Sequence, residues 1–246
     1  MKLYKKEKFT NLPSAVLFDT DNTLYAYDVP HKAGMMAVKS KVIGVFSISD
    51  EDFEKSFKLA REDVKKTIDG TAASHSRLLY MQRMMEILGL GSQVLLALDL
   101  EQTYWRTFLS EARLFSAVKD LLDDLRILGI PAIVVTDLTA QIQFRKLVYF
   151  GLENSFNFVV TSEEAGFDKP HQAPFKIALE KANVKDGTLW MIGDNPINDI
   201  QGAKETIGAV TLQKIHSGIT LGKEKQAPDA SFEDFSDVRK LISRIK

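Results

Sequence analysis

The chain has 246 residues, 45% of them hydrophobic and 26% charged, enough apolar material for one large or two modest soluble domains. With 32 Lys and Arg against 33 Asp and Glu the formal net charge is -1, so no global field draws the protein to a nucleic-acid polymer or a membrane surface. Cysteine is absent, which excludes disulfides, thiolate metal sites and Cys nucleophiles; no apolar run is long enough to span a bilayer and none reads as a secretory signal, so a cytoplasmic enzyme is expected.

The Lys-rich start, Lys2 to Lys8, reads as a short solvated extension. The apolar run Ala15 to Phe18 has the look of a buried parallel strand, and it breaks into Asp19-Thr20-Asp21-Asn22-Thr23. A carboxylate at the end of a buried strand is costly unless a cation or hydrogen bonds compensate it. Two carboxylates one residue apart resist joint ionisation, which suits one to be a charged nucleophile and the other a proton carrier.

The next strand ends only at Thr136, far beyond the span of a simple βα unit. The segment from about Tyr27 to Phe115 is therefore read as an inserted helical module. One helix is expected between His31 and Phe46. A second carries Phe53, Phe57, Ala60, Val64 and Ile68 at helical spacing. A third carries Leu78, Met81, Met84, Met85 and Leu88, and a fourth Leu95, Leu98, Tyr104, Trp105 and Phe108.

Beyond the insertion, helix and strand alternate. Val118 to Leu128 is an amphipathic helix ended by Gly129, and Ala132 to Val135 a strand running into Thr136-Asp137. Gln141 to Phe150 is helical. Val159-Val160 leads into Thr161-Ser162, with Lys169-Pro170 a short loop later. Ala173 to Asn183 is helical. Leu189 to Gly193 is a strand that runs into Asp194, with Asn195 to Asp199 beyond it. Ala209 to Leu212 reads as a strand and Ser236 to Arg244 as a final helix, while Gly218 to Pro228 reads as the least ordered stretch. Such alternation implies an α/β fold, a Rossmann-like parallel sheet covered on both faces, with the helical insertion after its first long strand. The expected division is 1–26 with 116–246 for the sheet domain and 27–115 for the helical cap. Carboxylates that end adjacent strands, about 4.8 Å apart, can share one hard cation, and an all-oxygen donor set favours Mg²⁺ over Zn²⁺.

The four segments Asp19-x-Asp21-x-Thr23, Thr136, Lys169 and Gly193-Asp194-x-x-x-x-Asp199, in this order and at these element ends, resemble the motifs of the haloacid dehalogenase superfamily of hydrolases. The stretch Ser162 to Gly166 before Lys169-Pro170 is similar to members acting on nucleotides and sugar phosphates. The resemblance implies a phosphatase with Asp19 as nucleophile, Asp21 as general acid and base, Thr136 as hydrogen-bond donor to the phosphoryl group, and Lys169 as its charge partner. It implies Mg²⁺ held by Asp19, Asp194 and the backbone carbonyl of Asp21. Asp199 is left open between ligand, partner of the metal's water and partner of Lys169. Where the family usually has Asn, often followed by Gly, this chain has Asp137 and Leu138. Asp137 is read either as a contact to a substrate hydroxyl or amine, or as a helix cap. Thr23, and His75 and Arg77 in the cap, complete the candidate substrate-binding residues, with His31 a further candidate. The expected partner is a small phosphorylated metabolite, a nucleoside monophosphate or a sugar phosphate, handled by a monomer or homodimer. Phosphomutase, dehalogenase and a non-catalytic binding protein are the rival readings of the same fold.

Overall fold

The computed structural model describes residues 1–245. The chain divides into two compact units, Tyr27–Ala112 and a second formed by Met1–Ala26 with the chain from Arg113 onward.

The second unit is built on a seven-stranded sheet. Its strands are β1 (Lys2–Leu3), β2 (Ala15–Phe18), β3 (Ala132–Thr136), β4 (Phe158–Thr161), β5 (Leu189–Gly193), β6 (Val210–Lys214) and β7 (Ala230–Phe232), in the spatial order β1-β7-β6-β5-β2-β3-β4. All neighbouring pairs are parallel except β1 with β7. The strand order reverses at β2, whose neighbours are β3 and β5. Open α/β sheets bind ligands beyond the carboxyl ends of the strands at such a switch point. Every residue of β2 and β3 is buried, which is why each reads as an unbroken apolar run.

The N-terminus is not the solvated extension expected. Lys2 and Leu3 pair with Ser231 and Ala230, and the ammonium groups of Lys5 and Lys8 reach the fully buried Asp229 at 3.2 and 3.1 Å. A buried carboxylate needs cations, and this lysine-rich start supplies them. The segment 218–228 is likewise tied down: the Gly222 amide donates to Gln213 Oε1 at 2.9 Å, and Gln213 Nε2 donates to the Thr220 carbonyl at 3.0 Å.

The inserted unit contains α1 (Asp28–Phe46), α2 (Asp50–Ile68), α3 (Arg77–Ile87) and α4 (Val94–Glu111). Ser49 caps α2 by accepting from the Asp52 amide, and Ser76 caps α3 by accepting from the Leu79 amide. The α3 stripe of Met81, Met84 and Met85 is buried. In α4 the apolar stripe is displaced from the expected one. Leu95 and Leu98 are exposed, whereas Ala97, Leu100, Thr103, Tyr104, Trp105 and Phe108 face inward. The face is set by the approach to α1, where Gly34 leaves room for Tyr104. A Cβ at Gly34 would stand 2.9 Å from the tyrosine ring.

The helices of the sheet unit are α5 (Val118–Ile127), α6 (Ala140–Tyr149), α7 (Ser162–Ala165), α8 (Gln172–Ala182), α9 (Gly202–Ile207) and α10 (Phe235–Ile245). Among the described residues no helix is long and apolar enough to cross a membrane.

Candidate active site

Asp19 leaves β2 with its amide still bonded to the Ile192 carbonyl of β5, so the parallel pairing holds the residue in place at the strand end. Asn22 then takes a left-handed φ of 63°, a conformation Asn tolerates, and the loop turns back on itself. Thr23 comes to lie over Asp19, its hydroxyl donating to Oδ2 at 2.9 Å. Thr23 is fully buried there. Its hydroxyl is spent on orienting a carboxylate rather than left free for a substrate.

Asp194 follows β5, and Asp199 sits in a short π-helical turn, Pro196–Gln201. Asn195 caps that turn through the amides of Ile197 and Asn198, and its own amide donates to Asp199 Oδ2 at 3.0 Å. Gly193 is required by this packing, because a Cβ there would fall on the Asp199 carboxylate. Asp19, Asp194 and Asp199 each present one oxygen such that all three lie within 4.8 Å of one another, and all three residues are buried. Lys169 Nζ donates to Asp19 Oδ1 at 2.8 Å and to Asp199 Oδ1 at 2.6 Å, with its side chain only 2% exposed.

One ammonium does not neutralise three carboxylates. Burial pushes the Asp19 carboxyl up to about 6, with Lys169 opposing the rise. Burial, then Asp19 and Asp199, push Asp194 up to about 9. Asp199 is raised by burial as well, against the pull of Lys169. Lys169 stays protonated despite its burial, because Asp19, Asp199 and Asp137 surround it. The charge imbalance and the hard oxygen donors fit a divalent cation of the Mg²⁺ type.

Thr136 ends β3 and meets Thr20 hydroxyl to hydroxyl at 2.8 Å, which links it to the neighbour of Asp19. Asp137 is engaged elsewhere. Its Oδ1 accepts from the Lys169 amide at 2.9 Å and from Ser162 Oγ at 3.1 Å, so it braces the loop that carries Lys169. Thr139, not Asp137, occupies the cap position of α6. Leu138 holds a φ of 90°, a backbone conformation that favours Gly. Asp21 is turned to α6, where Lys146 Nζ donates to its two oxygens at 2.7 and 2.9 Å and Tyr25 Oη donates to Oδ1. His75 and Arg77 belong to the helical unit, where the His75 carbonyl accepts from Arg77 Nη1 at 2.8 Å.

Sequence reading missed Gln143, Lys146, Gln213 and His216. Gln143 is fully buried under the β3 end. Its amide nitrogen donates to Thr136 Oγ1 at 2.9 Å and to the Asp137 carbonyl at 2.7 Å, while its Oε1 accepts from Thr20 at 3.3 Å. Proton counting gives this a consequence. With Thr20 donating to Gln143, the Thr136 proton serves the 2.8 Å contact to Thr20 or the Asp137 carbonyl at 3.3 Å, and Gln143 Nε2, donating to Thr136 Oγ1, fixes the hydroxyl from which that proton would turn to a phosphoryl oxygen. Gln143→Leu is therefore expected to lower kcat roughly tenfold, the worth of one charge-assisted hydrogen bond to a phosphoryl oxygen. A kcat within twofold of wild type, measured on folded protein, would remove Gln143 from that role. Gln213 Nε2 donates to the Asp194 carbonyl at 2.8 Å, and His216 Nε2 lies 3.0 Å from the Asn22 carbonyl, so both support the site's loops.

The chain is similar to known proteins along most of its length. Residues 16–211 match the model of the haloacid dehalogenase-like hydrolase family. A ribulose-1,5-bisphosphate 5-phosphatase of Halopiger xanaduensis is 33% identical over 242 residues, covering 94% of this chain and 100% of the relative. A glyceraldehyde 3-phosphate phosphatase of Methanocaldococcus jannaschii is 27% identical, covering 94% of this chain and 96% of the relative. Among solved structures, a 2-haloacid dehalogenase from Pseudomonas syringae superposes with a TM-score of 0.74 at 22% identity, covering 96% of this chain and all of that one. At that identity the likeness is one of fold. A match across most of the chain, in a sheet whose strand ends gather Asp19, Lys169, Asp194 and Asp199, makes this chain a member of the haloacid dehalogenase-like hydrolase family and a phosphoric monoester hydrolase within it.

Proposed function

We propose that the protein is a Mg²⁺-dependent phosphatase of a small sugar phosphate and works through an aspartyl-phosphate on Asp19. The observation that carries this reading is the buried carboxylate triad around Asp19 with Lys169 bonded between two of its members. An Asp19 oxygen attacks phosphorus and the bond to the leaving alkoxide breaks. Asp21 gives that alkoxide its proton, then takes one from the water that attacks the acyl phosphate and returns Asp19. Asp21 accepts from Lys146 and Tyr25 in the structure, so release from that pair is part of the cycle. Thr136 donates to a phosphoryl oxygen, and Lys169 balances charge on Asp19 and the transferring group. Asp19, Asp194, Asp199 and the backbone carbonyl of Asp21 would hold Mg²⁺, which supplies charge neutralisation between an anionic nucleophile and an anionic phosphate. The inserted helical unit is read as the cap that chooses the substrate. The similarity to sugar-phosphate phosphatases favours sugar phosphates over nucleotides.

Phosphate release from glyceraldehyde 3-phosphate, ribulose 1,5-bisphosphate and a nucleoside monophosphate, each with Mg²⁺ and with chelator, tests the proposal. The sugar phosphates are expected to exceed the nucleotide by at least about tenfold in kcat/KM, or roughly 1.4 kcal/mol of transition-state preference. A nucleotide preference, or release indifferent to chelator, overturns it.

Metal binding also has a pH signature. Asp194 is raised to about 9 by burial and its carboxylate neighbours, from an ordinary value of 3.8. A carboxyl raised in the folded state stabilises fully below its ordinary range, and that contribution is lost as pH rises through the folded value. The Tm of chelated protein is therefore expected to fall between about pH 4 and 9, and saturating Mg²⁺ to oppose the fall because it binds the ionised form. Asp194→Asn should flatten both effects. A chelated Tm that rises with pH more steeply in wild type than in Asp194→Asn would contradict the assignment.

A further inference from the structure

Asp21 stands two positions from Asp19, yet among the described residues the carboxylate cluster is made by Asp19, Asp194 and Asp199 without it. Asp21 has a cation of its own. Lys146 Nζ donates to its two oxygens at 2.7 and 2.9 Å, and Tyr25 Oη donates to Oδ1. The Lys146 side chain is 2% exposed and that of Asp21 33%. The ammonium is thus fixed inside the protein, and the carboxylate reaches it from the more open side.

The holder is built on rigid parts. Tyr25 is buried, with its ring 5.0 Å from that of Phe150 and 5.9 Å from Lys146 Nζ. The backbones of Asp21 and Tyr25 also pair across the loop that separates them. Lys146 lies on the buried face of α6, three residues after Gln143, so both side chains leave the same side of the helix. Gln143 donates to Thr136 and Lys146 to Asp21. One helix face therefore places two residues to which the proposed mechanism gives work.

Charge says what the holder is for. The charge of Asp21 reaches Asp19 and helps to raise its carboxyl, so the two are neighbours electrostatically as well as in sequence. A carboxylate this close to a cluster that gathers cations is drawn to the same cations unless another one claims it. Oxygens engaged there as ligands could neither give nor take a proton. Lys146 is the competing cation, and its own burial makes it depend on the carboxylate in turn.

We propose that Lys146, with Tyr25, is a positioning residue of the phosphatase reaction: it keeps the Asp21 carboxylate out of the Asp19–Asp194–Asp199 cluster and so available for proton transfer. The proposal rests on the reading of Asp21 as general acid and base. Lys146 acts through Asp21, which turns from it to the leaving oxygen and returns.

The experiment measures leaving-group release in single turnovers, with enzyme in excess and Mg²⁺ saturating. The substrates are p-nitrophenyl phosphate and either glyceraldehyde 3-phosphate or ribulose 1,5-bisphosphate, whichever is cleaved faster. Lys146→Met is expected to slow the sugar phosphate by about ten- to a hundredfold, part of what a general acid is worth, and p-nitrophenyl phosphate by less than about threefold, because its leaving group needs little protonation. In protein already carrying Asp21→Asn, adding Lys146→Met should change the sugar-phosphate rate by less than about twofold, since two residues that act as one are not additive. Equal losses on both substrates overturn the proposal and leave Lys146 a structural counter-ion. So do additive losses in the double variant. If Lys146→Met does not fold, Tyr25→Phe goes through the same cycle, and an unchanged sugar-phosphate rate there overturns it. A slow Asp21→Asn beside an unaffected Lys146→Met removes the proposal alone. An Asp21→Asn as fast as wild type on the sugar phosphate removes the acid reading and the proposal with it.

Discussion

Asp19→Asn is expected to lower kcat by about 10³-fold or more on any phosphomonoester, the scale of removing a principal catalytic group. The substitution keeps the shape of the side chain and the acceptor for Thr23, which donates at 2.9 Å. What it removes is the anion proposed to attack phosphorus and one oxygen of the carboxylate triad. The fold should survive. Asp19 is buried with its carboxyl pushed up to about 6, so the charge is held there against desolvation and against Asp199 and Asp21. An uncharged amide relieves that repulsion, while Lys169 retains Asp199 at 2.6 Å. The expected result is thus a stable, inactive protein with a Tm equal to or above that of wild type. Steady-state assays with p-nitrophenyl phosphate, paired with thermal melts, check both halves. Turnover within tenfold of wild type would remove Asp19 as nucleophile.

The parts of this site legible in the sequence share one physical property. Each is a polar residue that ends a short, wholly apolar run, because a buried parallel strand cannot carry a carboxylate or hydroxyl until it emerges. Asp19, Thr136 and Asp194 are of this kind, following β2, closing β3 and following β5. Lys169 lies on a loop and was legible only through the family resemblance.

The parts not legible depend on partners distant in sequence. Gln143 and Lys146 occupy the buried face of α6 beside Ile142 and Leu147. Their spacing was a signal: polar residues fell on the apolar stripe of an amphipathic helix. Nothing local says that Lys146 answers Asp21, which is 125 positions away. Asp229 was invisible for the same reason, since Lys5 and Lys8, its nearer cations, come from the other end of the chain. The face of α4 went astray because hydrophobicity alone chose Leu95 and Leu98, whereas packing chose the face with Tyr104 and tolerated Thr103 inside it. Asp137 illustrates a further limit. Its departure from the family pattern was visible, but its work, accepting the Lys169 amide, is a property of the folded loop.

Lys169→Met is expected to damage both stability and catalysis. Its ammonium is bonded to both Asp19 and Asp199, at 2.8 and 2.6 Å, and its side chain is 2% exposed. Methionine fills a similar volume, so lost packing is a small part of the effect. What remains is a group of buried carboxylates without their cation, and breaking one side of a buried ion pair costs roughly 3–5 kcal/mol. In chelator the Tm should drop accordingly, most at high pH, where Asp194 and its neighbours would otherwise ionise. Mg²⁺ should recover much of that loss, since it supplies positive charge to the same oxygens. Catalysis should not recover with it. In the proposed mechanism Lys169 also balances charge on the transferring phosphoryl group, and removing such a donor lowers kcat by about 10²- to 10³-fold. Stability restored by Mg²⁺ alongside a persistent kcat defect separates the two duties of this side chain. Wild-type kcat in Lys169→Met at saturating Mg²⁺ would reduce Lys169 to a structural counter-ion.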